Sequence, residues 1–505
     1  MKFYLTTPIY YVNDLPHIGH AYTTIAADVL ARWYRLNGRD VFFLTGTDEH
    51  GAKIVQAAEK AGKTPQEFVD YISSEFRKSW VELGATFDNY IRTTDATHKK
   101  TVRELFSKLY NDGKIYKKKY EGLYCVQCEK FLAPEDLNED KCCPDHKLKP
   151  VTHSEENWFF KLAEYQDEML RILTEAKEFA VFPVERRNEV IGKLKTGLQD
   201  ISISRAALKW GVPLPFDENQ VFYVWVDALT NYISGIGYSD NKEQFNKYWP
   251  ADLHITAKEI LWFHAIIWPA MLLAAGIPLP KKLFSHGFFT INGEKMSKTL
   301  GNVIKPKELI DKFGVDASRY LMLSLFPFGT DGDVSWQGLT ERYNTDLANN
   351  LGNLVSRTLT MMEKYLEGRV PPANASQEFS VEEELAGLSG NFDNLEFHRV
   401  AEKLQRAIDK ANRYIEDTAP WKLAKEDKSA LPGIFYNLLK TIGRVAFHLQ
   451  PFMPETAQKI WSGIGQPDKI EEAAAKYFTN QSIEFPVPGN SISKPGILFP
   501  RIQNK

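Results

Sequence analysis

The sequence predicts an α/β protein: a doubly wound, Rossmann-like nucleotide-binding fold, split by an insertion and followed by an all-helical bundle. Three observations predict it. A strand–loop–helix–strand unit opens the chain, a second α/β stretch returns after about residue 250, and beyond about residue 340 apolar residues recur only at helical spacing. A chain of 505 residues is also too long for one core and should hold about three or four units. Its 43% hydrophobic and 25% charged residues are those of an ordinary globular protein. No run reaches the roughly eighteen apolar residues of a membrane span. Met1-Lys2-Phe3-Tyr4-Leu5 reads straight into a strand without the layout of a signal peptide, so a cytoplasmic location is expected. A net charge of −3 does not mark a general polyanion binder, and neither DNA nor a membrane is an expected partner. Any nucleic-acid contact has to come from local patches.

Taken in order, Phe3 to Thr7 and Val41 to Thr45 are short β-rich runs. Between them Ile18, Tyr22, Ile25, Val29, Trp33 and Leu36 follow a helical period that Asn37-Gly38 ends. Residues 1–115 form the first half of the nucleotide fold and 116–220 an insertion, with four cysteines confined to the stretch from Cys125 to Cys143. In a chain without secretion signals that clustering argues for metal before disulfides. The second half, 221–290, contains a strand at His254–Thr256, an apolar helix at Glu259–Ala275 and a strand at Leu283–Thr290. Residues 291–345 form a lysine-bearing loop and connector, 346–480 the helical unit, and 481–505 an extended strap. In the helical unit Leu347, Leu351, Leu354, Val355 and Leu359 set the period, as do Val400, Leu404 and Ile408, and Leu438, Ile442, Val445 and Leu449.

Two motifs carry the chemistry. His17-Ile18-Gly19-His20 stands where the first strand hands over to the first helix, and helix N-termini at strand ends favour anions. Gly19 leaves the backbone open to a flat base or ribose. Lys295-Met296-Ser297-Lys298-Thr299 follows the hairpin signal Asn292-Gly293, and two lysines three apart suit a leaving pyrophosphate. Taken alone, the first reads as surface histidines near a cap and the second as a solvated basic loop. Their corresponding positions in two halves of one fold make the pair specific.

With these motifs the chain resembles the class I aminoacyl-tRNA synthetases, and within them the methionyl-tRNA synthetases from end to end. The segments that carry the resemblance are Thr45-Gly46-Thr47-Asp48-Glu49-His50-Gly51, Tyr223-Val224-Trp225-Val226-Asp227-Ala228, Lys258-Glu259-Ile260, Phe263-His264 and Trp268-Pro269. Thr299 replaces the family's usual final serine, and Ala257 stands where the family often has glycine. The resemblance implies a ligase that uses ATP with Mg2+, L-methionine and tRNA(Met). It implies His17, His20, Lys295 and Lys298 as catalytic, and these with Gly19 and Ser297 as the ATP-binding set. It implies a methionine pocket of Ile9, Tyr11, Trp225, Ala228, Leu229, Tyr232, Ile260 and His264, with Asp48 facing the ammonium and Arg205 near Asp48. Read by themselves, Trp225, Tyr232 and Trp268 are ordinary aromatic core. In the helical unit the resemblance makes Asn353, Arg357 and Trp421 anticodon contacts and 291–345 a stem-contact region; alone, these residues are a solvated face.

Cys125-x-x-Cys128 with a later Cys-x-x-His matches the ligand spacing of a tetrahedral structural zinc knuckle, here within about 120–150. Cys143 is expected as third ligand because it alone has that spacing to His146, as in the family's single-knuckle form. Cys142 is then a thiol beside the site. The rivals are another class I synthetase, a nucleotidyltransferase and an inactive tRNA-binding relative. The Thr45–Gly51 segment and an insertion of about a hundred residues, too small for the editing domain of the leucine, isoleucine and valine enzymes, argue against the first. The helical bundle argues against the second, and the intact histidines and lysines against the third.

Overall fold

The computed structural model describes residues 1–125, 130–132, 136–144, 147–296, 301–373 and 379–503. Strand β1 (Lys2–Tyr11) runs into a short loop, helix α1 (Ile18–Leu36) and strand β2 (Asp40–Asp48). The helix is buried along nearly its whole length and stops at Asn37, whose amide N–H and side chain both turn back to the Trp33 carbonyl. Strand β3 (Asn89–Arg92) follows, and six parallel strands form the central sheet in the order β3, β2, β1, Leu253–Ala257, Lys282–His286, Ala180–Phe182. β1 therefore has a neighbour from each half of the fold, pairing Phe3 with Val41 and Leu5 with Leu253. The strand order reverses beside it, and ligands of open α/β sheets sit at such a reversal.

Three elements differ from the sequence expectations. The insertion is not separate throughout: Ala180–Phe182, inside 116–220, pairs with Lys282–His286 as an edge of the central sheet, with Val181 buried. The remainder of the insertion carries a long antiparallel pair, Ile115–Cys125 with Val151–Phe160, in register from Ile115↔Phe160 to Tyr124↔Val151. The single strand expected over Leu283–Thr290 is two. Lys282–His286 stays in the central sheet, while Phe289–Ile291 joins Glu294–Lys295 and Gly332–Val334 in a small sheet. Gly287 allows the break, because a Cβ there would lie 2.2 Å from the Thr330 carbonyl carbon. Finally, the helix expected over Glu259–Ala275 starts as a 3-10 turn, Lys258–Ile260, and passes through a π segment, Phe263–Ile267, before the α-helix Trp268–Ala275.

Helices Asn353–Leu366, Phe397–Thr418, Leu431–Leu449, Pro454–Gly463 and Ile470–Phe478 form the C-terminal unit. One hydrophobic core runs from it into the nucleotide fold. Trp33 of α1 stacks on Phe392 at 4.1 Å, and Tyr34 donates to Asp393. Arg319, fully buried, donates to Asp28 of α1 at 2.6 Å and to the carbonyls of Leu83, Pro451 and Phe452. A buried guanidinium is tolerated only when it is paired and hydrogen-bonded in this way. No helix among the described residues is long and apolar enough to cross a membrane.

Candidate active site

The site begins at the N-terminus of α1. His17 is the cap, in extended conformation, and its Nδ1 accepts from the Gly19 N–H at 3.1 Å. His20 Nδ1 accepts from the His17 N–H at 3.3 Å, and the two rings stack 3.8 Å apart. Each Nδ1 is spent on the backbone, so in the neutral tautomer each Nε2 carries the hydrogen and is a donor. Burial lowers the His17 ring to about 4 and holds the His20 ring well below its ordinary value. Both rings are thus uncharged donors at neutral pH, placed at a helix N-terminus, where the helix dipole favours an anion.

Gly19 is tightly held. A Cβ there would lie 2.9 Å from His17 Cε1 and 3.6 Å from the methyl carbon of Met296. The second distance places the Met296 side chain, at the head of the lysine segment, beside the histidine motif. A further tie is the Ile18 N–H, which donates to the Ile304 carbonyl at 3.0 Å. Lys295 ends the hairpin Phe289–Ile291/Glu294–Lys295, with its backbone opposite Thr290. The Lys295 side chain, and Ser297, Lys298 and Thr299, lie outside the described residues.

Next to this corner is an aromatic cluster. Ile9, Tyr11, Trp225, Leu229 and Tyr232 share one hydrophobic core, and Trp225 stacks on Phe263 at 4.0 Å. The His264 Nδ1–H donates to the Ile260 carbonyl at 2.9 Å, which leaves Nε2 to accept from the Tyr232 hydroxyl at 2.6 Å. Burial lowers His264 to about 4, so the cluster holds a neutral ring. His264 lies in the π segment, and π bulges in helices frequently mark functional sites. Ala228 is buried, and Trp268 is fully buried core. Asp48, 7% exposed, ends β2 opposite Tyr11 of β1. Arg205, buried as well, donates to Ser202 Oγ and the Ser204 carbonyl and lies 4.1 Å over the Tyr223 ring.

The buried histidines carry a pH dependence. His17, His264, His286 and His448 are lowered to about 4 by burial, and burial holds His20 and His254 well below the ordinary value too. Unfolding lets each take a proton below about 6.5, so the unfolded state binds more protons and stability falls as pH drops from there towards 4. Thermal melts at constant ionic strength are expected to show Tm declining from pH 6.5 downwards. A Tm level between pH 7 and pH 5 contradicts this.

In the helical unit Arg357 donates to Glu416 at 2.6 Å, and its guanidinium lies 6.0 Å from the Trp421 ring. Asn353 begins its helix directly after a π segment, Tyr343–Gly352. Beside it is a cavity of about 440 Å³ with Asn349, Asn353 and Ser356 on one wall and Ile497 and Leu498 of the strap on the other. The strap thus borders a cavity the sequence did not reveal; Phe499, 7% exposed, packs across from Tyr343 and anchors it. The sequence also missed the polar chain from His50 through Asp227 to His98, although both its motif segments were in view.

At the insertion, Cys125 and Cys143 are buried together against Leu132, whereas the Cys142 thiol is directed at the Asp140 carbonyl and is less buried. Cys128 and His146 lie outside the described residues.

Comparison with known proteins bears on all three regions. The family model for class I tRNA synthetases (M) matches residues 3–147 and 132–359, and that for the anticodon binding domain of methionyl tRNA ligase matches 367–505. A methionine–tRNA ligase of Caldanaerobacter subterraneus subsp. tengcongensis is 45% identical, over 99% of this chain and 79% of the relative. One of Streptomyces coelicolor is 43% identical, over 100% of this chain and 97% of the relative. The structure superposes on Mycobacterium tuberculosis methionyl-tRNA synthetase in complex with methionyl-adenylate with a TM-score of 0.93 and 40% identity, over 99% of this chain and 100% of that one. Matches that run without a break in character from the histidine cap through the split sheet to the strap identify one family: the chain belongs to the methionyl-tRNA synthetases.

Proposed function

We propose that the chain activates L-methionine with ATP to methionyl-adenylate, releasing pyrophosphate, and transfers the methionyl group to the 3′ end of tRNA(Met) for initiation and elongation. The observation that carries this reading is the closeness of the Met296 side chain to Gly19, which puts the start of the lysine segment beside the histidine cap. The methionine carboxylate attacks the α-phosphate and pyrophosphate leaves; the 3′-terminal ribose hydroxyl then takes the acyl group and AMP leaves. His17 and His20 donate to phosphate oxygens, while Lys295 and Lys298, with Ser297 between them, meet the charge that moves onto pyrophosphate. Magnesium supplies charge neutralisation to the bound ATP. Asp48 orients the substrate ammonium, and the thioether packs among Ile9, Tyr11, Trp225, Ala228, Leu229, Tyr232, Ile260 and His264, where sulfur near aromatic rings gains modestly. Asn353, Arg357 and Trp421 read the anticodon, and the enzyme works in the cytoplasm. Aminoacylation tests the reading: a tRNA with anticodon CAU should be esterified with methionine. Charging with leucine, isoleucine or valine instead would reassign the chain within class I.

A structural zinc ion held by Cys125, Cys128, Cys143 and His146 is part of the proposal. The joint burial of the Cys125 and Cys143 thiols supports it, and four protein ligands leave no open position for water. Metal analysis of purified protein is expected to find one zinc per chain, retained in Cys142→Ser and lost in Cys143→Ser. The reverse pattern would assign Cys142 as the ligand.

A further inference from the structure

Two sequence segments, Thr45–Gly51 and Tyr223–Ala228, are joined by a buried polar chain that the proposed chemistry leaves unused. Asp227, 1% exposed, lies on the short helix Val224–Leu229. Its Oδ2 accepts from His50 Nδ1 at 2.6 Å and its Oδ1 from His98 Nε2 at 2.9 Å. The other nitrogen of His98, which is fully buried, is 2.8 Å from Ser234 Oγ. Burial pushes the Asp227 carboxyl up, but His50 and His98 outweigh it and hold it down to about 2.

The connections fall where the amino-acid pocket is built. His50 stands two residues beyond Asp48, at the end of β2. Asp227 and Ser234 are seven residues apart and share a face at helical spacing, opposite the face of Trp225, Ala228, Leu229 and Tyr232. The helical hydrogen bonding is interrupted between them at Thr230, which separates Val224–Leu229 from Asn231–Ser234. One imidazole, that of His98 on Ala96–Asn111, spans this break from behind. The same carboxylate, through His50, fixes the strand end that carries Asp48. Three walls of the pocket are thereby held to one another by groups that do not line it.

We propose that Asp227, bridged by His50 and His98, is a positioning residue that sets the width of the amino-acid pocket and so its discrimination between methionine and thioethers one methylene longer. This rests on the methionine-activating reading above. The test is amino-acid-dependent exchange of pyrophosphate into ATP, with methionine and ethionine as competing probes, for the full-length wild type, His50→Ala, His50→Asn and Ser234→Ala. A rigid apolar pocket separates ligands that differ by one methylene by roughly 10–200-fold. In His50→Ala and Ser234→Ala that ratio is expected to fall about fivefold or more, through a raised KM for methionine and with the KM for ATP held within about twofold. His50→Asn, which keeps an N–H near the Nδ1 position, is expected to return the ratio towards wild type. Ser234→Ala removes one hydroxyl, with its bonds to His98 and to the Asn231 carbonyl, so it reports even if His50→Ala fails to fold. An unchanged ratio in the folded alanine variants, or equal loss in His50→Asn and His50→Ala, overturns the proposal. A wild type that exchanges with neither amino acid would instead overturn the methionine reading itself.

Discussion

Replacing Lys298 with alanine is expected to slow adenylate formation by about 10²–10³-fold while the affinity for methionine hardly moves. The magnitude is that of removing one donor aimed at charge that develops in a transition state. In the ground state the phosphates already carry their charge and magnesium meets much of it. The additional negative charge appears on the bridging oxygen as pyrophosphate departs, and a lysine that follows the phosphate chain meets it there. The structural support is local. Met296, two residues before Lys298, is packed near Gly19, so the lysine segment begins within reach of the phosphates that the histidine cap is suited to bind. The rate constant of adenylate formation in a single turnover is the measurement. If Lys298→Ala raises only the KM for ATP and leaves the maximal rate as it was, the lysine binds the ground state and the transition-state role is wrong.

Trp421→Ala is expected to lower the efficiency of charging tRNA(Met) by roughly ten- to hundredfold, because stacking of a base on an aromatic ring is worth about 1–3 kcal/mol. Trp421 stands in the first turn of Pro420–Glu426, half-buried, beside the Arg357 guanidinium and on a bundle whose neighbouring cavity is bounded by Asn353. A purely structural tryptophan would hold the bundle together and nothing more. The two roles separate when tRNA with the CAU anticodon is compared with one of changed anticodon. Stacking predicts that the variant loses discrimination between them. Equal slowing of both, together with a lowered Tm, would mean that Trp421 only packs the bundle.

What the sequence disclosed follows from the range of the interactions involved. α1 was legible because nineteen residues of one period, with a cap and a stop, are a local signal. The histidine cap was legible for the same reason. Ala180–Phe182 was not: three residues carry no period, and only pairing with Lys282–His286 makes them a strand. The break at Gly287 depends on the approach of Thr330, and the π segment around His264 leaves the apolar spacing of a helix nearly intact. The strap was legible as an extended segment, but what it packs against was not, because its anchors are distant. The Asn344 side chain bonds both the N–H and the carbonyl of Ile502, as a strand partner would. The link between His50, Asp227 and His98 was hidden in the same way, because sequence shows which residues a motif contains and not which residue of another segment they meet.

The most direct measurement of the central claim is exchange of pyrophosphate into ATP by the purified chain, with each of the twenty amino acids supplied singly and no tRNA present. The reading predicts exchange that depends on methionine, with the other nineteen near background because none of them fills a pocket built for a straight thioether. Exchange driven best by another amino acid would place the chain elsewhere in class I. No exchange with any of them, from protein that is folded and binds tRNA, would contradict the account and leave a tRNA-binding relative without the reaction.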